Sequence, residues 1–160
     1  MIETIEILLL IMVANGAPIL ISYAFFHRAS LPIDSGKVLA DGNPLFGAAK
    51  TWRGIIASVI VTMLVSVYIG KGMIPGFVIA VLAMTGDLVS SFIKRRQGKE
   101  ASSRAFLLDQ IPESFLPVLG GLYFWSVNLI HIIVIVVSFI ILEILLSKAL
   151  YLIGVRQKPY

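Results

Sequence analysis

The sequence predicts an all-α integral membrane protein with about five transmembrane helices. Its 160 residues are 58% hydrophobic and 14% charged, whereas a soluble domain is roughly half apolar and a quarter charged. Mean hydropathy is +0.96, and a globule of this size has too little interior to hide the excess. The chain has a net charge of +4, but its apolar content excludes a nucleic-acid-binding domain. The same content excludes a soluble enzyme and a disordered chain.

Five apolar stretches supply the predicted spans. They run from about 5 to 26, 55 to 70, 73 to 93, 115 to 130 and 132 to 153. A hydrocarbon core of about 30 Å needs about 20 helical residues, so the second and fourth stretches should extend into polar flanks. The run from Phe115 to Leu146 is too long for one helix, and we expect a tight hairpin with its turn near Asn128. A re-entrant fourth segment, favoured by Pro117 and Gly120–Gly121, is the alternative.

The basic residues predict the orientation of the chain. Every Lys and Arg except Lys71 lies on one side of a five-span chain. The positive-inside rule then places the N-terminus outside and the C-terminus in the cytoplasm, together with the loops at about 27–54 and 94–114. The acidic start, with Glu3 and Glu6, does not resemble a secretory signal peptide. We therefore expect a multi-pass protein of the cell membrane whose chemistry faces the cytoplasm.

The residues that are missing restrict the chemistry. The chain has no cysteine, which excludes disulfides, Cys-ligated zinc, iron–sulfur clusters and a thiol nucleophile. It has two separated histidines, His27 and His131, so a His-rich metal site is not expected. Any metal would be held by oxygen, as Mg²⁺, Mn²⁺ and Ca²⁺ are.

Asp87 is the most informative candidate residue, because it lies inside the predicted third span. A carboxylate there costs a few kcal/mol on insertion scales, so it should face a polar cavity. Ser91 and Lys94 follow at i+4 and i+7 and share its helical face. This stripe predicts the wall of a hydrophilic pocket. The alternative is a structural Asp paired with a basic residue of a neighbouring helix.

Asp109 and Glu113 form a second acidic group, in the segment LLDQIPES before the fourth span. Together with Asp87, they predict a site for one or two hard cations such as Mg²⁺, which carboxylates and substrate phosphates bind. The alternative is ordinary charge at a helix start, where acidic residues are favourable. Spacing alone favours neither interpretation.

Basic residues flank these acidic groups on both sides. Lys50 and Arg53 bracket Trp52 in GAAKTWRG, where Thr51 adds a hydroxyl, and the turn-rich run 34–47 before them predicts an ordered functional loop. Lys and Arg are the side chains that bind phosphate. The second basic group comprises Lys94, Arg95, Arg96, Lys99 and Arg104. Its members could bind phosphate, act as topology signals or contact anionic lipids. For Arg96 and the tail residues Arg156 and Lys158, a topology signal or a lipid contact is favoured over phosphate binding.

The remaining polar residues of the spans receive mainly structural interpretations. Asn15 either lines the cavity or makes an interhelical hydrogen bond, and the hydrogen bond is favoured. Pro18 should kink the first helix. Glu143 is expected to pair with Lys148 or with another helix, and His131 is expected to be structural.

The order of the motifs FGAAKTWRG, GDLVSSFIKRRQGKE and LLDQIPES resembles that of the membrane cytidylyltransferases that make CDP-activated lipids. CDP-diacylglycerol synthases carry similar Lys-Thr-Trp-Glu-Gly, Gly-Asp…Ser…Lys-Arg and Leu-Asp-Arg…Asp-Ser segments in longer chains. The short five-span form, with Arg53 after Trp52, resembles the archaeal CDP-archaeol synthases in particular, over roughly residues 10 to 130. Gln110 stands where the bacterial signature has Arg, and Glu113 stands where it has a second Asp.

The resemblance implies a reaction between CTP and an isoprenoid glycerol phosphate lipid that gives CDP-archaeol and pyrophosphate. The lipid phosphate would attack the α-phosphorus directly. By the same resemblance Mg²⁺ would be held by Asp87, Asp109 and Glu113, with Asp87, Lys94 and Asp109 as the catalytic residues. The nucleotide would be bound by Lys50, Thr51, Arg53, Ser91, Arg95, Lys99 and Arg104. Trp52 would stack on the cytosine or anchor the protein at the membrane interface.

Two rival functions come from other classes. A small ion or solute transporter would explain Asp87, Asn15 and Pro18 inside spans, but the charges gather on one side and the outer connections are short. A non-enzymatic lipid-binding subunit would explain the cations but leaves the three carboxylates without a role. The enzyme is therefore the favoured interpretation.

Overall fold

The computed structural model describes residues 2–24, 31–100, 103 and 105–155. Within these residues the chain forms five α-helices and no β-strand, and two isolated bridges join Pro32 to Thr51 and Val38 to Pro44. The helices are α1 (Ile2–Ala24), α2 (Trp52–Tyr68), α3 (Met73–Arg96), α4 (Gln110–Gly121) and α5 (Leu129–Leu152). The predicted all-α class is confirmed.

Three helices are long and apolar enough to cross a membrane. They are α1, α3 and α5, with 23, 24 and 24 residues and mean hydropathies of 2.1, 1.9 and 3.0. Helix α2 is apolar but shorter, at 17 residues. These four helices begin no more than three residues from the predicted starts, because apolar content alone identifies segments of this kind.

The predicted fourth span, 115–130, does not form one helix. Helix α4 has 12 residues, which makes it about 18 Å long and shorter than a hydrocarbon core of about 30 Å. It begins earlier than its apolar content suggests, because Gln110 and Ser114 in its first turns are buried inside the bundle. The segment nevertheless crosses the bundle, because Gln110 contacts Glu143 in the second half of α5 and Trp125, just after α4, contacts Glu6 in the first turns of α1. A re-entrant segment would return to the end at which it started, so the re-entrant alternative is wrong.

The predicted turn near Asn128 is confirmed, and it starts α5. The Asn128 side chain accepts a hydrogen bond from the His131 backbone N–H at 3.1 Å, and the His131 ring accepts one from the Asn128 N–H at 3.2 Å. This reciprocal capping satisfies two backbone donors at the helix start. His131 is therefore structural, as expected.

One end of the bundle is closed by a polar cluster above a packed core. The Trp125 indole N–H donates to Glu6 at 2.8 Å, and the Lys71 ammonium lies 3.0 Å from the same carboxylate oxygen and 5.9 Å from the Trp125 ring centre. Beneath this cluster the helices pack a core of Ile7, Leu10, Ile11, Ile79, Val118, Ile135 and Phe139. The loop 31–51 and the described residues between α3 and α4 (97–100, 103 and 105–109) lie at the opposite end of the bundle.

Helices α3 and α4 approach each other closely at Gly86. A Cβ atom added there would overlap the Pro112 carbonyl oxygen and would lie 2.8 Å from the Glu113 backbone nitrogen. Glycine is therefore required for this contact. The approach brings the first turn of α4, with Glu113, next to Asp87 on α3.

We predict that Gly86→Ala destabilises the protein. The new methyl group must push two backbones apart, and overpacking of this kind costs about 1–3 kcal/mol. Thermal unfolding in detergent checks this, with Gly16→Ala as the matched control, because a Cβ at Gly16 meets nothing within 4 Å. Equal midpoints for the two variants would contradict the close approach.

Candidate active site

The loop 31–51 folds around the buried carboxylate of Asp34. One of its oxygens accepts from the Gly36 N–H at 3.0 Å, and the other accepts from the N–H groups of Phe46 and Gly47 at 2.9 and 2.8 Å. Gly47 has a φ of +92°, a conformation that favours glycine. The turn-rich run is thus an ordered loop, as the sequence predicts.

The two ends of this loop are joined to each other before α2 begins. The Ile33 N–H donates to the Lys50 carbonyl at 2.9 Å, and the Trp52 N–H donates to the Leu31 carbonyl at 3.1 Å. The Thr51 hydroxyl then accepts from the Gly54 N–H at 3.2 Å and caps α2. Lys50 is therefore held at a defined position beside the helices.

Arg96 fastens the same loop to the end of α3. Its guanidinium lies 2.5 Å from the Asp41 carboxylate and donates to the carbonyls of Asn43 and Pro44 at 3.2 and 2.6 Å. These contacts give Arg96 a structural role in the loop, which the sequence did not indicate.

A cavity of about 670 Å³ opens between this loop and the helices. Nine of the predicted site residues line it: Lys50, Thr51, Arg53, Asp87, Ser91, Lys94, Arg95, Asp109 and Glu113. Lys99 is not among them, since it lines a smaller neighbouring recess. Arg104 lies outside the described residues. Trp52 is 51% exposed and is absent from the cavity lining, which favours its interface role over stacking on a base.

An ion pair between Lys50 and Asp87 forms part of the cavity wall. The ammonium nitrogen is 2.5 and 2.6 Å from the two carboxylate oxygens. The Glu113 carboxyl group lies directly beside that of Asp87. Burial opposes the charge on Lys50, but the two carboxylates outweigh it and raise the pKa of the ammonium above its usual value.

A second ion pair joins α3 to the connection before α4. The Lys94 ammonium lies 2.7 Å from Asp109 and donates to the Ser103 carbonyl at 3.0 Å. The neighbouring Arg95 donates to the Glu100 carbonyl at 2.6 Å. Both basic side chains are buried, so they hold Glu100, Ser103 and Asp109 against α3.

The three carboxylates predicted to share a cation do not form one cluster. Among the described residues, no group of three or more Asp, Glu or His side chains is placed to hold a metal. The reason is that Lys94 holds Asp109 while Asp87 and Glu113 meet separately. Two adjacent carboxylates still need a cation or a shared proton, and Mg²⁺ in nucleotide sites takes one or two carboxylates plus phosphates. The Asp87–Glu113 pair fits that smaller role.

Two polar residues of the spans line the cavity, and for each the structure selects one of the two alternatives that the sequence left open. Asn15 lines the cavity and donates to the Ile11 carbonyl of its own helix at 3.0 Å, so the favoured interhelical hydrogen bond is wrong. Glu143 also lines the cavity and accepts from Gln110 at 2.9 Å, which is the pairing with another helix. Their only signal in the sequence is a polar residue inside an apolar span.

The whole chain, residues 1–160, matches the family model of CarS-like CDP-archaeol synthase. The chain belongs to this family. CDP-archaeol synthases are cytidylyltransferases of membrane lipid biosynthesis, so the enzyme interpretation is supported over the transporter and the scaffold.

Individual members of the CDP-archaeol synthase family align over much of the chain. The synthase of Hyperthermus butylicus is 36% identical over 115 residues, covering 68% of this chain and 66% of the relative. The synthase of Sulfurisphaera tokodaii is 32% identical over 155 residues, covering 93% and 90%. A solved intramembrane enzyme for archaeal membrane lipid biosynthesis is 26% identical, with a TM-score of 0.74 over 91% of this chain and 93% of that one.

We predict that Asp34→Asn weakens the fold in a pH-dependent way. Burial raises the pKa of Asp34, but the backbone N–H donors outweigh it and lower the pKa below 3.8. A lowered pKa means that the stabilisation is complete above 3.8 and fades as the pH falls below it. In Asp34→Asn the side-chain amide would point an N–H group at a backbone N–H donor. The lost hydrogen bond should lower the free energy of unfolding by about 1–3 kcal/mol.

Thermal unfolding in detergent from neutral pH to about pH 3, below the reference carboxyl pKa, checks this expectation. The midpoint of Asp34→Asn should lie well below that of the unsubstituted protein at neutral pH, and the gap should shrink in acid. Lys37→Met, a change of an exposed residue in the same loop, is the control. A gap that stays constant with pH would contradict the role of the Asp34 charge.

Proposed function

We propose that this protein transfers a cytidylyl group from CTP to the phosphate of an isoprenoid glycerol phosphate lipid, giving CDP-archaeol and pyrophosphate. The reaction would take place at the cytoplasmic face of the cell membrane. The observation that carries the proposal is one cavity in which phosphate-binding cations and paired carboxylates meet apolar helix surfaces. Its position in a CDP-archaeol synthase supports the choice of substrates.

The charged wall of the cavity suits a triphosphate. Lys50, Arg53, Lys94 and Arg95 line it together, and each offers N–H donors to phosphate oxygens. Asp87 and Glu113 would hold Mg²⁺, which when bound neutralises the triphosphate and the leaving pyrophosphate. In this proposal Lys50 leaves Asp87 and binds a phosphate when the nucleotide enters.

The apolar part of the cavity suits a lipid acceptor. It is supplied by α1 and α5, through Met12, Ile19, Ile144, Leu146 and Leu150. Ser22 and Ser147 lie on the same two helices and line the same cavity, so hydroxyl groups stand beside the apolar surface. A phospholipid headgroup needs this combination of polar and apolar contacts. The lipid would enter sideways between helices, while CTP would enter from the cytoplasm.

The reaction needs no nucleophile from the protein. An oxygen of the lipid phosphate forms a bond to the α-phosphorus of CTP, and the bond from that phosphorus to the bridging oxygen breaks. Pyrophosphate leaves with the bonding electron pair. The protein's part is to position two anions and reduce their repulsion, as in other phosphoryl-type transfers.

We predict that the purified protein moves label from α-³²P-CTP into the organic phase in the presence of Mg²⁺ and the archaeal ether lipid phosphate. Asp87→Asn should lower the rate by a factor of about 100 or more, the size seen when a charge-stabilising group is lost. Lys37→Met should retain full activity.

Two results would contradict this function. Absence of label from folded protein would remove the cytidylyl transfer, and full activity of Asp87→Asn would remove its role. Label with phosphatidic acid but not with the ether lipid would keep the reaction and overturn the proposed acceptor.

We also predict that Lys50→Met strengthens the binding of Mn²⁺ to the protein without nucleotide. In the structure the ammonium of Lys50 neutralises Asp87, so a free cation must compete with it. Removing a charge in direct contact should tighten binding by about tenfold or more, as measured by the electron paramagnetic resonance of free Mn²⁺. The same variant should need more CTP for half-maximal rate. Equal Mn²⁺ affinities for Lys50→Met and the Lys37→Met control would contradict the competition.

A further inference from the structure

Helix α5 carries a carboxylate, Glu143, inside a strongly apolar helix, where a charge is energetically unfavourable. This helix has the highest mean hydropathy of the candidate spans, 3.0, and only 11% of its most apolar window is buried by protein. Glu143 nevertheless lies within it and lines the cavity. A carboxylate in such a helix costs a few kcal/mol on insertion scales, so it needs a polar partner.

Glu143 holds the side chain of Gln110, the first residue of α4. The Gln110 amide nitrogen donates to Glu143 at 2.9 Å, and the amide oxygen accepts from the Leu107 backbone N–H at 2.8 Å. The Gln110 side chain is buried. Because one end of an amide donates and the other accepts, the bond to Glu143 fixes which end faces Leu107.

The backbone at Leu107 needs such support. Its φ is +65°, in the left-handed region, which costs a residue with a Cβ about 1–2 kcal/mol. This bend shapes the turn 105–110. Within the turn, Asp109 accepts from the Ala105 N–H at 2.9 Å and presents its other oxygen to Lys94 at 2.7 Å.

We propose that Glu143 is a positioning residue that acts through Gln110. It holds the turn 105–110 in the bent conformation that aims Asp109 at Lys94 on the cavity wall. A polar contact from the lipid-facing helix α5 thereby sets the geometry of the charged wall. The effect on catalysis rests on the proposed function, whereas the effect on the turn does not.

The test uses variants that separate the hydrogen bond from the charge. Glu143→Leu removes the acceptor, and Glu143→Gln keeps an acceptor oxygen without the charge. We expect Glu143→Leu to lower kcat about tenfold, the loss of roughly one buried hydrogen bond, with the KM values for CTP and lipid within about twofold. Glu143→Gln should retain most of kcat. Gln110→Met should match Glu143→Leu, and the double variant should add little.

A second readout does not depend on activity. Hydrogen exchange measured by mass spectrometry should show faster exchange across residues 105–111 in Glu143→Leu and Gln110→Met, but not in Glu143→Gln. Lys148→Leu removes an exposed charge from the same helix and is the matched control. It should leave both kcat and the exchange unchanged.

Each outcome decides the proposal. Unchanged exchange and kcat in Glu143→Leu would overturn it, and so would a raised KM for lipid with unchanged exchange, since Glu143 would then contact the substrate. Should Glu143→Leu fail to fold, Gln110→Met makes the same comparison from the other partner. If even the unsubstituted protein transfers no label, the proposed function fails, while the exchange data still decide whether Glu143 holds the turn.

Discussion

The site depends on the neutralisation of Asp87 by Lys50. A carboxylate on a membrane helix is tolerated only with a partner, and here the partner comes from a loop rather than from another helix. The loop must therefore be folded with precision, and Asp34 and Arg96 provide this by binding its backbone. The glycine before Asp87 then admits Glu113 beside the pair.

The two ends of the bundle have different physical characters. At one end Glu6, Lys71 and Trp125 meet over a core of aliphatic side chains, which leaves that end packed. At the other end the helices are lined by ion pairs and surround a cavity. Because the opposite end of the bundle is packed, the cavity suits a reaction between a soluble nucleotide and a membrane lipid better than it suits transport across the membrane.

Much of the fold and of the site could be predicted from the sequence. Apolar stretches indicated α1, α2, α3 and α5, and a charged residue in a span pointed to Asp87 and its cavity. The start of α4 could not be predicted, because its buried Gln110 and Ser114 are polar. The separation of Asp109 from the other two carboxylates could not be predicted either. It results from the ion pair of Asp109 with Lys94, a tertiary contact that no spacing rule describes.

The polar residues of the spans illustrate the same limit. A sequence shows that Asn15 and Glu143 need partners, but not which ones. Asn15 satisfies its amide within its own helix, whereas Glu143 binds a residue 33 positions away. Both choices are set by how the helices pack around the cavity.

The exchange of Lys50 for a metal ion at Asp87 is tested most directly by a crystal structure of the protein with CTP and Mn²⁺, using the anomalous signal of the metal. We expect an anomalous peak between the carboxylates of Asp87 and Glu113, with the Lys50 ammonium moved from Asp87 to a phosphate oxygen. A bound nucleotide with the Lys50–Asp87 pair intact and the metal elsewhere would contradict this exchange.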